Sequence, residues 1–320
     1  MDQLLNYISS LPGAVAQGMI WGIMAIGVYI TYKVLDIADL TVDGSICTGA
    51  AVCAAMMTMG YSLPVAMICA FIAGMLAGLL TGIFHTFMGI PAILAGILTQ
   101  LILWSVNLKI LGLALGKSSA ANLPLSARSF STMVSMLDMH RSLIVLEVIC
   151  IVVIGALYWF FGTEYGCSLR ATGANPNMSR AQGINVNATK IFGLVLSNGI
   201  VAFAGALLAQ YQGNADINMG KGAIVIGLAA VIIGEALFGW LSRNNFALKL
   251  ITVVLGGIVY FFVYSTVIYL GLDSNYLKML SALVVAIFLA VPYWKKKYLS
   301  GPALRRAAQE RAARSERKVM

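Results

Sequence analysis

Few residues in this 320-residue sequence have the types and spacing to do chemistry. It has no His-Glu-x-x-His and no Gly-x-Ser-x-Gly pattern, so neither a zinc-water hydrolase nor a serine nucleophile is written into it, and no catalytic residue is assigned. The run Gly112-Leu113-Ala114-Leu115-Gly116-Lys117-Ser118 falls one residue short of a phosphate-cradling loop and reads as an ordinary loop. Five cysteines (Cys47, Cys53, Cys69, Cys150, Cys167) lie in or beside apolar runs, without a Cys-x-x-Cys pair or a histidine cluster. That pattern excludes a disulfide scaffold and a zinc site, and all five are expected to be small buried packing residues.

What remains is a sparse set of polar groups in apolar surroundings. Asp43, Gly44 and Ser45 open one apolar run; Asn107, Asn198 and Gln210 lie deep in others; Tyr211, Asn214 and Asp216 line a polar hinge. Ser45 can cap exposed amides, and a helix N-terminus there adds partial positive charge. Glu147 and Glu235 each fall about 8 or 9 Å inside the end of an apolar run, at about 1.5 Å per residue. A carboxylate at such a depth in a bilayer costs at least about 2.5 kcal/mol, so each is expected to face a cavity, find a polar partner or stay protonated. Uncharged donors and acceptors of this kind either pass a small zwitterion along or knit helices together, and both readings stand. So few fixed charges disfavour a strongly anionic cargo and tolerate an apolar or aromatic side chain. His85 has no evident partner and reads as an interfacial residue.

These groups need elements to hold them, and the composition says what those are. Apolar residues make up 60% of the chain and charged ones 10%, against about 25% charged in soluble domains. A soluble globule is excluded. Residues 295–320 hold nine Lys or Arg against Glu310 and Glu316, so the net charge of +9 resides mostly in this segment. It reads as a basic cytoplasmic tail anchored on anionic lipid, not as a nucleic-acid arm. The expected class is an all-α polytopic membrane protein, with a transmembrane domain over 1–294 and the tail over 295–320. Nine apolar stretches are long enough to cross: 14–33, 44–60, 63–87, 91–113, 142–161, 190–211, 222–241, 247–270 and 275–294. The second is short and opens on Asp43-Gly44, so eight full spans and one broken one is the alternative. The basic tail places the C-terminus inside and, with an odd number of crossings, the N-terminus outside. Residues 1–13 lack a basic n-region and a cleavage site, so they do not read as a removed signal peptide. Leu4, Leu5, Ile8 and Leu11 share one face, which predicts a short helix on the outer membrane surface.

Ala70, Gly74, Gly78 and Gly82 recur every four residues, and Gly18 and Gly22 do the same, which is a signal for close helix packing. A shift of 177 residues lays spans one, two and three on spans six, seven and eight. It also sets Ala38-Asp39-Leu40-Thr41-Val42 against Ala215-Asp216-Ile217-Asn218-Met219. Copies separated by five spans would be inverted in the membrane, an arrangement that recurs in transport proteins.

Residues 162–189 form the main cytoplasmic connection. Asn175 suits an N-cap, Pro176 the first helical position and Gly183 the left-handed residue after the last turn, so a two-turn helix with caps at both ends is expected. Such an element suits docking to another protein, with Arg170, Gly173 and Arg180 on or beside it.

The run from Arg170 to Pro176 (Arg-Ala-Thr-Gly-Ala-Asn-Pro), with Gln182-Gly183-Ile184-Asn185-Val186, resembles the coupling loop of ATP-binding cassette importer permeases of the branched-chain amino acid and ribose type. Asp36 through Ser45, Ile90 through Thr99 and Ser105-Val106-Asn107-Leu108 look like the subgroup paired with tryptophan- or tyrosine-type binding proteins. The resemblance spans roughly 15–290 and leaves out 114–141 and the tail. It implies a pathway-forming permease of a bacterial inner membrane, paired with a second copy of itself. Two separate ATPase subunits would carry ATP and Mg, with no cofactor in this chain. An extracytoplasmic binding protein would deliver the solute near 211–221. The cargo so implied is an amino acid, aromatic before branched-chain. The alternative is an ion-gradient-driven carrier for a small zwitterion.

Overall fold

The computed structural model describes residues 2–125, 132–241 and 245–269, with isolated helical positions between 279 and 290. The expected ninth span at 275–294 and the tail at 295–320 lie essentially outside the described residues.

The architecture is all-helical. Helix α1 (Asp2–Tyr29) continues through a π-helical segment (Ile30–Val34) and ends where Asp36 takes a left-handed φ of 56°. An extended stretch then leads to α2 (Val42–Thr58), α3 (Leu63–Thr86) and α4 (Ala92–Ala114). Strand β1 (Asn122–Pro124) is followed by α5 (Met139–Gly162), α6 (Glu164–Ala174) and α7 (Pro176–Ala181). The chain returns through α8 (Val186–Gln212), strand β2 (Asn214–Asp216), α9 (Ala223–Phe238) and α10 (Phe246–Tyr269). Strands β1 and β2 pair antiparallel, with Leu123 opposite Ala215. The bundle therefore has a hairpin end, marked by the strands, and a loop end, marked by α6 and α7.

Six helices among the described residues are long and apolar enough to cross a membrane: the first (from Ser10), α3, α4, α5, α8 and α10. Of the first eight expected stretches, two fall short of a full crossing. The second and seventh stretches are the shorter helices α2, of 17 residues, and α9, of 16. At about 1.5 Å per residue neither reaches the ~30 Å of a hydrocarbon core. The sequence flagged the first of these breaks and read the second as an unbroken span over 222–241. The surface helix expected over 1–13 is also absent as a separate element, because α1 runs unbroken through Pro12.

Glycine sets the packing. Gly74 meets Asn198 and Ala202, Gly78 meets Leu194 and Val195, and Gly82 meets Ile191, so α3 lies antiparallel on α8 with backbones nearly touching. Gly18 and Gly22 do the same for α1 against Gly257, Ile258 and Val254 of α10. Without apolar-versus-water driving force in lipid, such close approach is how helices gain dispersion contact. The tightly packed set is α1, α2, α3, α8, α9 and α10. By contrast α5 is only 17% buried over its spanning window.

Candidate functional site

The centre of the bundle is where two chain breaks meet. The extended stretch after Asp36 climbs from the loop end to the middle of α8. There Asp39, itself buried, accepts from the Thr41 amide (2.9 Å, Oδ1) and from Asn198 Nδ2 (2.7 Å, Oδ2). Ser45 Oγ donates to Asn198 Oδ1 at 2.6 Å, so one amide on α8 holds both the break and the first turn of α2. A hydroxyl ladder extends this outward: Thr41 and Thr81 lie 2.7 Å apart, and Thr81 donates to Thr99 at 2.9 Å. The break is thereby tied to α8, α3 and α4.

The second break runs from Gly213, at φ 70°, to Gly222, at φ 85°. Asp216 Oδ1 accepts from the Asn218 amide at 2.6 Å, the same turn that Asp39 makes with Thr41 177 residues earlier. The breaks touch through Asp43. Its carboxylate accepts from the Gly222 amide (3.0 Å) and the Ile224 amide (2.8 Å), so a side chain on the first turn of α2 caps α9. Gly220 packs onto the Asp43 carbonyl and donates to Cys47 Sγ at 3.1 Å. The N-termini of two half-length helices therefore face each other across one carboxylate, which offsets their partial positive charge.

The other polar positions divide by what they touch. Gly44 lets α2 approach Leu103 and Gln100 of α4. Gln210 donates to Met67 Sδ (3.0 Å) and the Ala206 carbonyl (3.2 Å) and accepts from the Met133 amide (3.2 Å). Tyr211 donates to the Gly13 carbonyl at 3.2 Å. Both knit the hairpin end. Asn107 is buried in α4 with its Oδ1 unpartnered among the described residues. Glu235 pairs with Lys33 at 2.8 Å near the loop end, with both side chains roughly two-fifths exposed. Glu147 sits on the exposed face of α5. His85 has a partner after all, its Nδ1 lying 2.9 Å from the Ile90 carbonyl. Among the cysteines, Cys47, Cys53 and Cys150 are buried, but Cys69 is half-buried and Cys167 is exposed on α6, which corrects the expectation that all five pack inside.

At the loop end, Asn175 Oδ1 accepts from the Asn177 and Met178 amides (3.1 and 3.0 Å), Pro176 is the first residue of α7, and Gly183 follows the helix at φ 81°. Pro176, Met178 and Arg180 are exposed while Ser179 is buried, so α7 is seated on one side and bare on the other. The preceding α6 was not anticipated; Thr163, whose hydroxyl accepts from the Gly166 amide, caps it. Arg170 donates to the Phe161 carbonyl at 2.9 Å and lies over the Phe246 ring, joining α6 to α5 and α10. Gly173 packs directly against the Val34 carbonyl and Leu35, and Gly193 against the Leu35 side chain. The end of α6 thus abuts the residues where α1 stops and the first break begins. The sequence did not expose this contact.

Buried polar breaks at the centre of an apolar helical bundle, with a bare capped helix at one end, suit a multi-pass transport permease. The family described as branched-chain amino acid transport system / permease component matches residues 11–291, and this chain belongs to it. The tyrosine transport system permease protein of Clostridioides difficile (strain R20291) is 36% identical over 285 residues, 88% of this chain and 91% of that protein. The autoinducer 2 import system permease protein LsrC of Salmonella typhimurium is 26% identical over 244 residues, 73% of this chain and 65% of that protein. In fold the chain is similar to PsaBC from Streptococcus pneumoniae in complex with Fab, with a TM-score of 0.52 and 18% identity over 92% of this chain and 98% of that one. Composition, helices and family together make it a membrane permease.

Proposed function

We propose that this permease forms the pathway of an ATP-driven importer for an amino acid, with tyrosine or a similar aromatic side chain favoured. The 36% identity to a tyrosine transport permease over nearly the whole of both chains supports the substrate class. Two copies of the chain would enclose the pathway. Two ATPase subunits would bind the exposed face of α7, and an external binding protein would release cargo at the hairpin end, near 211–216. The loop end and the C-terminus are then cytoplasmic and the N-terminus external, in the plasma membrane of a bacterium.

The observation that carries the reading is the contact of Gly173 with Val34 and Leu35. A motor seated on α7 pulls on α6, and α6 pushes where α1 gives way to the first break. The coupling positions are then Arg170, Gly173, Asn175, Pro176, Arg180 and Gly183, and Asp43, Gly44, Ser45 and Asn198 lie where the displacement arrives. The Asx turns repeated at Asp39 and Asp216, the shared break-then-half-helix order and the matched α3–α8 and α1–α10 pairs support an inverted repeat. Rocking one copy of such a repeat against the other opens the two sides alternately.

The test is Gly173→Leu in the permease reconstituted with its ATPase and binding protein. A side chain there displaces Val34, so uptake per ATP hydrolysed is expected to fall at least tenfold while hydrolysis continues. Normal coupling refutes the lever. Uptake that ignores ATP and collapses with the ion gradient favours a secondary carrier.

A further inference from the structure

We propose that Lys221, held beside Trp104, is the group that receives the carboxylate of the cargo half-way through the pathway; this rests on the reading above that the cargo is a zwitterionic amino acid. Lys221 lies between the two tightest points of the second break. The Gly220 amide is bonded to Cys47 Sγ on one side of it and the Gly222 amide to Asp43 on the other, at 3.1 and 3.0 Å. Its backbone is fixed and its side chain leaves the core, placing Nζ 4.9 Å from the centre of the Trp104 ring.

The depth is what makes this informative. Trp104 is the thirteenth of the 23 residues of α4, about 18 Å from one end of that helix and about 15 Å from the other. Trp104 and Lys221 are both exposed, and the ion pair found among the described residues is elsewhere, between Lys33 and Glu235. An ammonium at that depth facing lipid would be costly, and a neighbouring ring offsets only part of the cost. The surface formed by α4 and the second break therefore faces water. Its lining is mixed, as an aromatic amino acid would need: Asp43 and Asp216 are half-buried and, like Lys221, lie near Cys47; Ser105 and Lys109 are exposed on α4, and so are Leu101, Ile102 and Val106. A cation beside an aromatic face, with carboxylates nearby, matches an α-carboxylate, an aromatic side chain and an α-ammonium.

The test places a reporter thiol at Leu101, exposed and three residues before Trp104, in the full-length permease with Cys69→Ala and Cys167→Ser, in proteoliposomes. Leu101→Cys is expected to react with water-soluble methanethiosulfonates, and with the anionic sulfonatoethyl reagent at least threefold faster than with the cationic trimethylammonioethyl one. Lys221→Gln should bring that ratio close to one and Lys221→Arg should keep it. No labelling by either reagent overturns the proposal, because the face is then covered by lipid or by a second copy; so does an unchanged ratio in Lys221→Gln. In the coupled system, Lys221→Gln should lower ATP-driven amino acid uptake at least tenfold and Lys221→Arg should retain most of it. Undiminished uptake in Lys221→Gln overturns the carboxylate role alone. A wild-type complex that moves no amino acid overturns the proposed function while leaving the labelling result intact.

Discussion

Replacing Asn198 by leucine removes the amide that joins the first break to α8 while roughly keeping the volume. In the native bundle Asn198 satisfies Asp39 Oδ2 at 2.7 Å and the Ser45 hydroxyl at 2.6 Å, all three groups being buried. Losing a hydrogen bond to a carboxylate is worth about 1.5–3 kcal/mol, and a stranded hydroxyl about 1–3 kcal/mol. Ser45 can recover part of this by turning to a carbonyl of the preceding turn, so Asn198→Leu should destabilise by about 4 kcal/mol. Asp39→Asn is the control. Turning the Asn198 amide over and rotating the Ser45 hydroxyl restores the contacts with residue 39 and Ser45 and gives up only the bond from Asn198 Nδ2 to the Leu194 carbonyl (3.0 Å), so the loss should be about 1 kcal/mol. The protein supplies its own probe: Cys47, Cys53 and Cys150 are buried, Cys69 is half-buried and Cys167 is exposed, so with Cys69→Ala a thiol-reactive dye reads unfolding as a rise above the Cys167 baseline during heating in detergent. Asn198→Leu should lower the midpoint several times more than Asp39→Asn. Equal shifts, or a shift for Asn198→Leu no larger than about 1 kcal/mol allows, would show that the centre is held by packing and not by this network.

Gly205→Ala should lower the yield of folded protein and its midpoint, by about 1–3 kcal/mol as judged by the same dye, because a methyl there meets the Ile46 carbonyl of α2. Gly155→Ala on α5, with nothing within 4 Å, should leave stability unchanged or raise it by up to about 1 kcal/mol. Lys33→Gln and Glu235→Gln should each cost less than about 1 kcal/mol, and the double substitution no more than either one. That follows from a pair roughly two-fifths exposed on both sides and largely screened by solvent.

Much of this was legible where local chemistry decides the outcome. Asn175, Pro176 and Gly183 specify α7 through side-chain capping, a fixed φ and a left-handed residue, none of which needs a neighbour. The four-residue spacing of Gly74, Gly78 and Gly82 likewise announced a close helix contact, though not that α8 supplies it. The polar hinge at 215–219 was read, but the helix after it was taken for a full span over 222–241, because Gly220-Lys221-Gly222 runs straight into an apolar stretch and hydropathy sees only the average. What makes it a break is Asp43, 179 residues earlier in sequence, bonding its amides. The same non-locality hid Lys33 as the partner of Glu235 and Val34 as the neighbour of Gly173. Asp39 stood in the aligned repeat without a role, since its partners Asn198 and Ser45 come together only when α2 and α8 pack. Lys221 and Trp104 were passed over singly, a loop lysine and one more aromatic in an apolar helix. Only their juxtaposition at mid-depth gives them meaning.

The Asp43 carboxylate belongs to α2, yet the donors it satisfies belong to α9. Drawing the two half-helices apart would leave an anion and two amides without the partners they now give one another unless water arrived in step. A transport cycle that keeps them joined must instead carry both as a single rigid pin and do its opening at the margins, where the thinly covered α5 has room to swing.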